Sequence, residues 1–119
     1  MVRLLVVEDN RSNLEAMCRV LATDGHYVIG AESGECALSL AEYSLNFDMV
    51  LMDLGLPGID GLETTTQLRQ LGFTGPVVAI TAHASHDTPS MAACAGCTAL
   101  KTKPIKIRDL REIVNSYFI

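Results

Sequence analysis

Short apolar runs alternate with helical patterns along this chain, and that alternation limits its fold more than any other feature. The runs are Leu4–Val7, Tyr27–Ala31, Met49–Met52, Val77–Ile80 and Ala99–Lys101. Each is short, and turn or polar residues bound it, as they do a strand. The first, third and fourth are almost wholly apolar, which suits strands covered on both faces; the second and fifth are mixed, as edge strands are. Between them Leu14, Met17, Cys18 and Leu21 recur at helical spacing, with Gly25 as the stop. Ser33 or Gly34 opens a second helix that contains Ala37, Leu38, Leu40 and Ala41. Asp60-Gly61 leads into Leu62, Thr65, Leu68 and Leu71, with Gly72 beyond. Pro89 suits the first turn of a short helix ending at Gly96, and a last helix carries Ile107, Leu110, Ile113 and Val114.

Strict alternation of strand and helix predicts a parallel sheet with helices on both faces. The expected architecture is an α/β, flavodoxin-like, doubly wound (βα)5 three-layer sandwich with strand order 2-1-3-4-5, forming one domain over residues 1–119. An apolar content of 49% supports a real core. Met49, Met52 and Met91 are expected to fill it, as are Cys18 and Cys36. The terminal Tyr117, Phe118 and Ile119 either pack on the body or mark where a longer protein continues.

A net charge of -5 argues against a nucleic-acid surface, which needs clustered Lys and Arg. No segment approaches the ~20 apolar residues of a membrane span, so no membrane contact by this domain is expected. The N-terminal apolar run stops at Glu8-Asp9, too early for a signal peptide, and this favours a cytoplasmic location. Cys94-Ala95-Gly96-Cys97 has the spacing of a metal or redox pair, but no second pair completes a zinc set. His83 and His86 lack a third soft ligand and read as loop residues, and His26 reads as an exposed turn residue.

Polar features follow four of the strands: Glu8-Asp9-Asn10, Asp53, Thr81 and Lys103-Pro104. In a parallel sheet these strand ends share one edge, and in the order 2-1-3-4-5 the first and third strands meet at the ligand-binding switch point. Glu8, Asp9 and Asp53 would then share a crevice, with Thr81 and Lys103 across it. Clustered carboxylates repel unless a proton or cation relieves them. A hard cation such as Mg²⁺ (or Mn²⁺) fits, and a backbone carbonyl such as that of Gly55 can add a ligand. A carboxylate, a divalent cation, a lysine and a hydroxyl together match the needs of phosphoryl transfer to an aspartate. Singly, each feature has a plainer explanation. Glu8-Asp9-Asn10 can be a helix N-cap region, and threonine is common near strand ends.

The segments Leu5-Val6-Val7-Glu8-Asp9-Asn10, Val50-Leu51-Met52-Asp53 through Gly61, Ile80-Thr81-Ala82 and Lys103-Pro104-Ile105 resemble the signature of response-regulator receiver domains, most closely those of hybrid sensor histidine kinases. The resemblance implies that Asp53 accepts phosphate from a phosphohistidine on a histidine kinase or histidine phosphotransfer domain. It implies that Asp9 binds Mg²⁺ directly, that Glu8 does so directly or through water, and that Gly55 offers its carbonyl. Thr81 and Lys103 would contact the phosphoryl group, Ala82 would leave room for it, and Lys103-Pro104 would be cis. The activity implied is self-phosphorylation and autodephosphorylation in a regulatory domain whose parent could be a histidine kinase, membrane-bound or not. The face of the fourth helix, fifth strand and fifth helix would meet partners, with room for a weak homodimer. Two departures stand out. Leu100 holds the place of a switching aromatic coupled to Thr81. Gly55 stands where a polar or bulkier side chain is common, which leaves His83 to influence the phosphoryl lifetime.

Three alternatives fit the residues less well. A haloacid-dehalogenase-type phosphatase needs a second acid at Gly55 and a cap domain. A dinucleotide-binding domain needs a Gly-rich turn where Glu8-Asp9 stands. A receiver-like module that binds without being phosphorylated usually lacks the acids, the acceptor or the lysine, and all are present here.

Overall fold

The computed structural model describes residues 2–118. Five strands alternate with five helices: β1 (Arg3–Val7), α1 (Arg11–Thr23), β2 (Tyr27–Ala31), α2 (Gly34–Tyr43), β3 (Met49–Asp53), α3 (Gly61–Gln70), β4 (Val77–Thr81), α4 (Thr88–Ala95), β5 (Ala99–Thr102) and α5 (Ile107–Tyr117). The strands form one parallel sheet in the order β2-β1-β3-β4-β5. The expected fold and strand order are therefore both found.

The pleat sorts the strand residues between two cores, because successive side chains leave a strand on opposite faces. Leu5, Val7, Val50, Met52 and Val77 join the residues of α2 and α3. Leu4, Val6, Met49, Leu51, Val78 and Ile80 join those of α1 and α5. β3 and β4 are buried along their whole length, as double coverage requires. Each fully buried aliphatic side chain contributes roughly 1.5–3 kcal/mol of transfer free energy, so the central strands hold the strand tips in fixed relative positions.

Helix starts are fixed by side chains that satisfy otherwise unpaired N–H groups. Asn10 Oδ1 accepts from Asn13 N–H at 3.0 Å, Ser33 Oγ from Cys36 N–H at 3.0 Å, and Asp60 Oδ1 from Glu63 N–H at 2.8 Å. Gly96 ends α4 in the left-handed region at φ 104°, where only glycine is comfortable.

Four expectations about burial need correction. Met91 is 51% exposed, because α4 buries only Ala92 and leaves its outer face to solvent. Cys36 is exposed near the start of α2, on the face away from Ala37 and Leu38. Ile107 is exposed in the first turn of α5, while Leu110, Ile113 and Val114 are buried. His26 is partly buried, and its Nδ1 accepts from Val2 N–H, joining the starts of β1 and β2. At the C-terminal end Phe118 packs on the α1/α5 core and Tyr117 is partly exposed; Ile119 lies outside the described residues, as does Met1. No described helix is long and apolar enough to cross a membrane.

Candidate functional site

Asp53 is the last residue of β3 and is buried. Its Oδ1 accepts from Gly55 N–H at 2.9 Å, which turns the chain sharply beside it. Glu8 lies one residue beyond β1, held in line with the sheet by its N–H bonding to Ala31 O at 3.0 Å. One carboxylate oxygen from each of Glu8, Asp9 and Asp53 lies within 4.8 Å of the others. Asp9 is exposed, and the other two are buried. The expected meeting of these three acids is found.

Lys103 was expected across the crevice but lies against the acids. Its Nζ donates to Glu8 Oε1 at 3.2 Å and to Asp53 Oδ2 at 3.3 Å. Lys103 N–H bonds to Thr81 O at 2.8 Å, which holds its backbone beside the tip of β4; the Lys103-Pro104 bond is cis, as the resemblance implies. Thr81 is buried at the tip of β4, yet its hydroxyl belongs to its own turn. Thr81 Oγ1 accepts from His83 N–H at 3.2 Å and lies 3.4 Å from His83 O, to which it can donate.

The pleat explains this division. Asp53 shares the face of Met49 and Leu51, and Glu8 continues the face of Val6, so both look toward α1 and α5. Lys103 extends the alternation of Ala99, which packs on that same side. Thr81 alternates with Ile80 and so faces α3 and α4 instead. The crevice of about 450 Å³ beside the acids is accordingly lined by Ile80 and Ala82, not Thr81, and by Met17, Pro104 and Ile105.

Electrostatics divide the two buried carboxylates. Burial and the neighbouring Asp53 raise Glu8 to about 7, against a smaller opposing pull from Lys103. Burial also acts to raise Asp53, but Glu8, the Gly55 N–H and Lys103 outweigh it and hold Asp53 below the ordinary carboxylate range. Lys103 loses some basicity to burial, yet its two carboxylate partners raise it overall. These neighbours therefore favour the ionised form of Asp53. The donors are all hard oxygens, which suits a small divalent cation better than a soft metal.

Gly61, which opens α3 and ends the signature segment that begins at Val50, packs directly on the backbone of Asp53. A Cβ there would stand against the carbonyl oxygen of Asp53 and 2.7 Å from Leu54 Cα. The first turn of α3 thus lies directly on the backbone of Asp53. The Asp60-Gly61 pair in the sequence was the available signal, but the close approach depends on how α3 docks. Gly55 presents its N–H to Asp53, and Leu100 is half-buried on β5 beside Ala79.

Residues 4–115 match the response regulator receiver domain family. The chain belongs to that family. It is 34% identical over 98% of its length to the osmosensing histidine protein kinase SLN1 of Saccharomyces cerevisiae, of which it spans 10%. It is also 34% identical to the polar-differentiation response regulator DivK of Brucella ovis, with 96% of this chain and 94% of that protein covered. Among solved structures, a CheY-like receiver domain protein from Methanospirillum hungatei superposes with a TM-score of 0.91 at 27% identity, covering 98% of this chain and 92% of the other. This receiver therefore serves two-component phosphorelay signalling, and its relatives include receivers within hybrid histidine kinases. It spans only a small part of the sensor kinases it matches. Its acids stand where a cation can be held.

Proposed function

We propose that this receiver takes a phosphoryl group from a phosphohistidine, on a histidine kinase or histidine phosphotransfer domain, onto Asp53. One observation carries the reading: a single ammonium, Lys103, lies between a buried ionised Asp53 and Glu8 at the mouth of an open crevice. An Asp53 carboxylate oxygen attacks phosphorus in line, the P–N bond breaks, and the imidazole leaves with its electron pair. The phosphoryl group ends as an acyl phosphate on Asp53.

Glu8, Asp9 and Asp53 form the set that would hold Mg²⁺, with Gly55 able to add its carbonyl. When bound, the ion neutralises charge on the phosphoryl oxygens. Lys103 follows the same oxygens from its place beside Asp53, and Ala82 leaves the crevice open. Thr81 takes the product by giving up its own turn. Its hydroxyl must leave the His83 backbone to reach the phosphoryl group, so capture of the group disturbs the loop after β4. With Leu100 aliphatic, that loop is the more direct route for the signal. Water then attacks phosphorus, the P–O bond to Asp53 breaks, inorganic phosphate leaves and the free carboxylate returns.

Incubation with acetyl phosphate and Mg²⁺ should add one phosphoryl group by intact mass in the parent and none in Asp53→Ala. Equal uptake by the variant would defeat the assignment. No uptake by either protein would favour a receiver that binds its partner unphosphorylated.

A further inference from the structure

We propose that Arg69 is a pivot that fixes the lower end of α4, so that α4 moves as a lever about Gly96 with its upper end free. The proposal rests on the reading of Asp53 as acceptor for what drives the lever, but not for the pivot itself.

Arg69 is on the last turn of α3, on the side of the sheet edge remote from Asp53. Its Nε and Nη2 donate to Gly96 O at 3.0 and 2.8 Å. Its Nη1 donates to Phe73 O at 2.9 Å and Gly75 O at 2.6 Å. The guanidinium also lies 5.5 Å from the centre of the Phe73 ring. One planar group thus ties the end of α3, the approach to β4 and the end of α4. Among the described residues no carboxylate pairs with it. The Gly96 carbonyl is at the C-terminal end of α4, where a cation is favoured; those of Phe73 and Gly75 lie in the connection from α3 to β4, and Thr98 Oγ1 stands 3.5 Å from Nη2.

The same end of α4 is fixed a second way. Cys97 N–H bonds to Ala92 O at 2.9 Å, Thr98 N–H to Val77 O at 2.7 Å, and Thr98 Oγ1 accepts from Val77 N–H at 3.1 Å. Among the described residues the upper end has nothing comparable. Asp87 caps α4 without a side-chain hydrogen bond. Residues 82–87 are all exposed, and the helix buries only Ala92. Ser85 and Thr88 bond to one another rather than to the body.

A helix of this length spans about 12 Å, so a tilt of about 20° about Gly96 carries its first residue roughly 4 Å. The free end joins the loop that Thr81 holds through His83. Arg69 makes no contact with the acceptor, so it is a positioning residue.

Amide exchange and amide shifts, read by NMR on the full chain, test this. In the unphosphorylated protein, Arg69→Met should speed exchange at Cys97 and Thr98 about tenfold or more and leave residues 83–88 unchanged. Arg69→Lys, which keeps a donor and disturbs folding less, should give a smaller increase at the same amides. With beryllium trifluoride and Mg²⁺, the parent's shifts should change at residues 82–92 and hold at 96–98. In either Arg69 variant both ends should respond. Unchanged exchange at Cys97 and Thr98 in both variants, or equal response of the two ends in the parent, would overturn the pivot. Absence of any shift at Leu54 and Gly55 would instead sink the phosphoacceptor reading, with the exchange result still deciding the pivot.

Discussion

Removal of the Lys103 ammonium tests how the resting site tolerates its own acids. The perturbation is Lys103→Met, which keeps the aliphatic stem and deletes the charge. At an effective dielectric of about 20, a unit-charge contact at 3.2 Å is worth roughly 5 kcal/mol before desolvation. The second contact, at 3.3 Å, is nearly equal. Neither appears in full. The lysine side chain is 28% exposed, and Glu8, raised to about 7, can take a proton when the ammonium goes. Breaking a buried pair costs about 3–5 kcal/mol when no such relief exists, so a loss of about 2–3 kcal/mol is expected here. For a chain of 119 residues that lowers the melting temperature by roughly 6–12 °C. Mg²⁺ should restore much of the loss, because the cation and the ammonium neutralise the same oxygens. It should also bind the variant about tenfold more tightly, equivalent to ~1.4 kcal/mol. Urea unfolding at pH 7.5, in EDTA and then across a Mg²⁺ series, reads both effects. A variant as stable as the parent in EDTA, with an unchanged Mg²⁺ dependence, would refute the view that Lys103 holds the acids together.

Two further outcomes follow from other parts of the site. Gly61→Ala should cost about 1–2 kcal/mol in urea unfolding, since the overpacking penalty exceeds the helix-propensity gain, and should slow labelling by acetyl phosphate because the new methyl displaces the Asp53 carbonyl. A variant with parental stability and labelling would show that α3 does not brace the acceptor. In EDTA, stability should be greatest for the Glu8 contribution below pH 4.5, where folded and unfolded states both hold the proton, and should decline as pH rises through about 7. The decline is on the order of 3 kcal/mol; Asp53, whose pKa is lowered, loses its own contribution only as pH falls below 3.8. Unfolding midpoints of Glu8→Gln over the same range should lack the neutral-pH decline.

Much of this molecule could be read before any coordinates. The runs around Val6, Leu51 and Val78 are apolar because both faces are covered, and their order places Glu8 and Asp53 side by side. Asn10 shows that two readings of one segment can both hold: it caps α1, while Glu8 beside it turns inward to Lys103. The missed features depend on geometry beyond the strand ends. That Lys103 joins the acids and Thr81 does not is a matter of pleat phase, which cannot be counted across a turn without the backbone. Met91 was misplaced because an apolar residue on a helix with one buried position has no core to enter. The role of Arg69 rests on carbonyls from two separate segments, the α3–β4 connection and the end of α4, and carbonyls leave no trace in side-chain identity.

The alternation of Ile80 and Thr81 makes the sheet a partition with different business on each side. The acids and the lysine open toward α1 and α5, the side on which the proposed donor would enter. The hydroxyl that would register the result belongs to the α3 and α4 side. A message need not cross five packed strands; it has only to turn the tip of one. Sliding β4 by a single residue would put Ile80's side chain on the listening side and the hydroxyl on the donor's, leaving the acids intact but the domain mute. That makes the phase of one short strand as consequential for signalling as the acceptor.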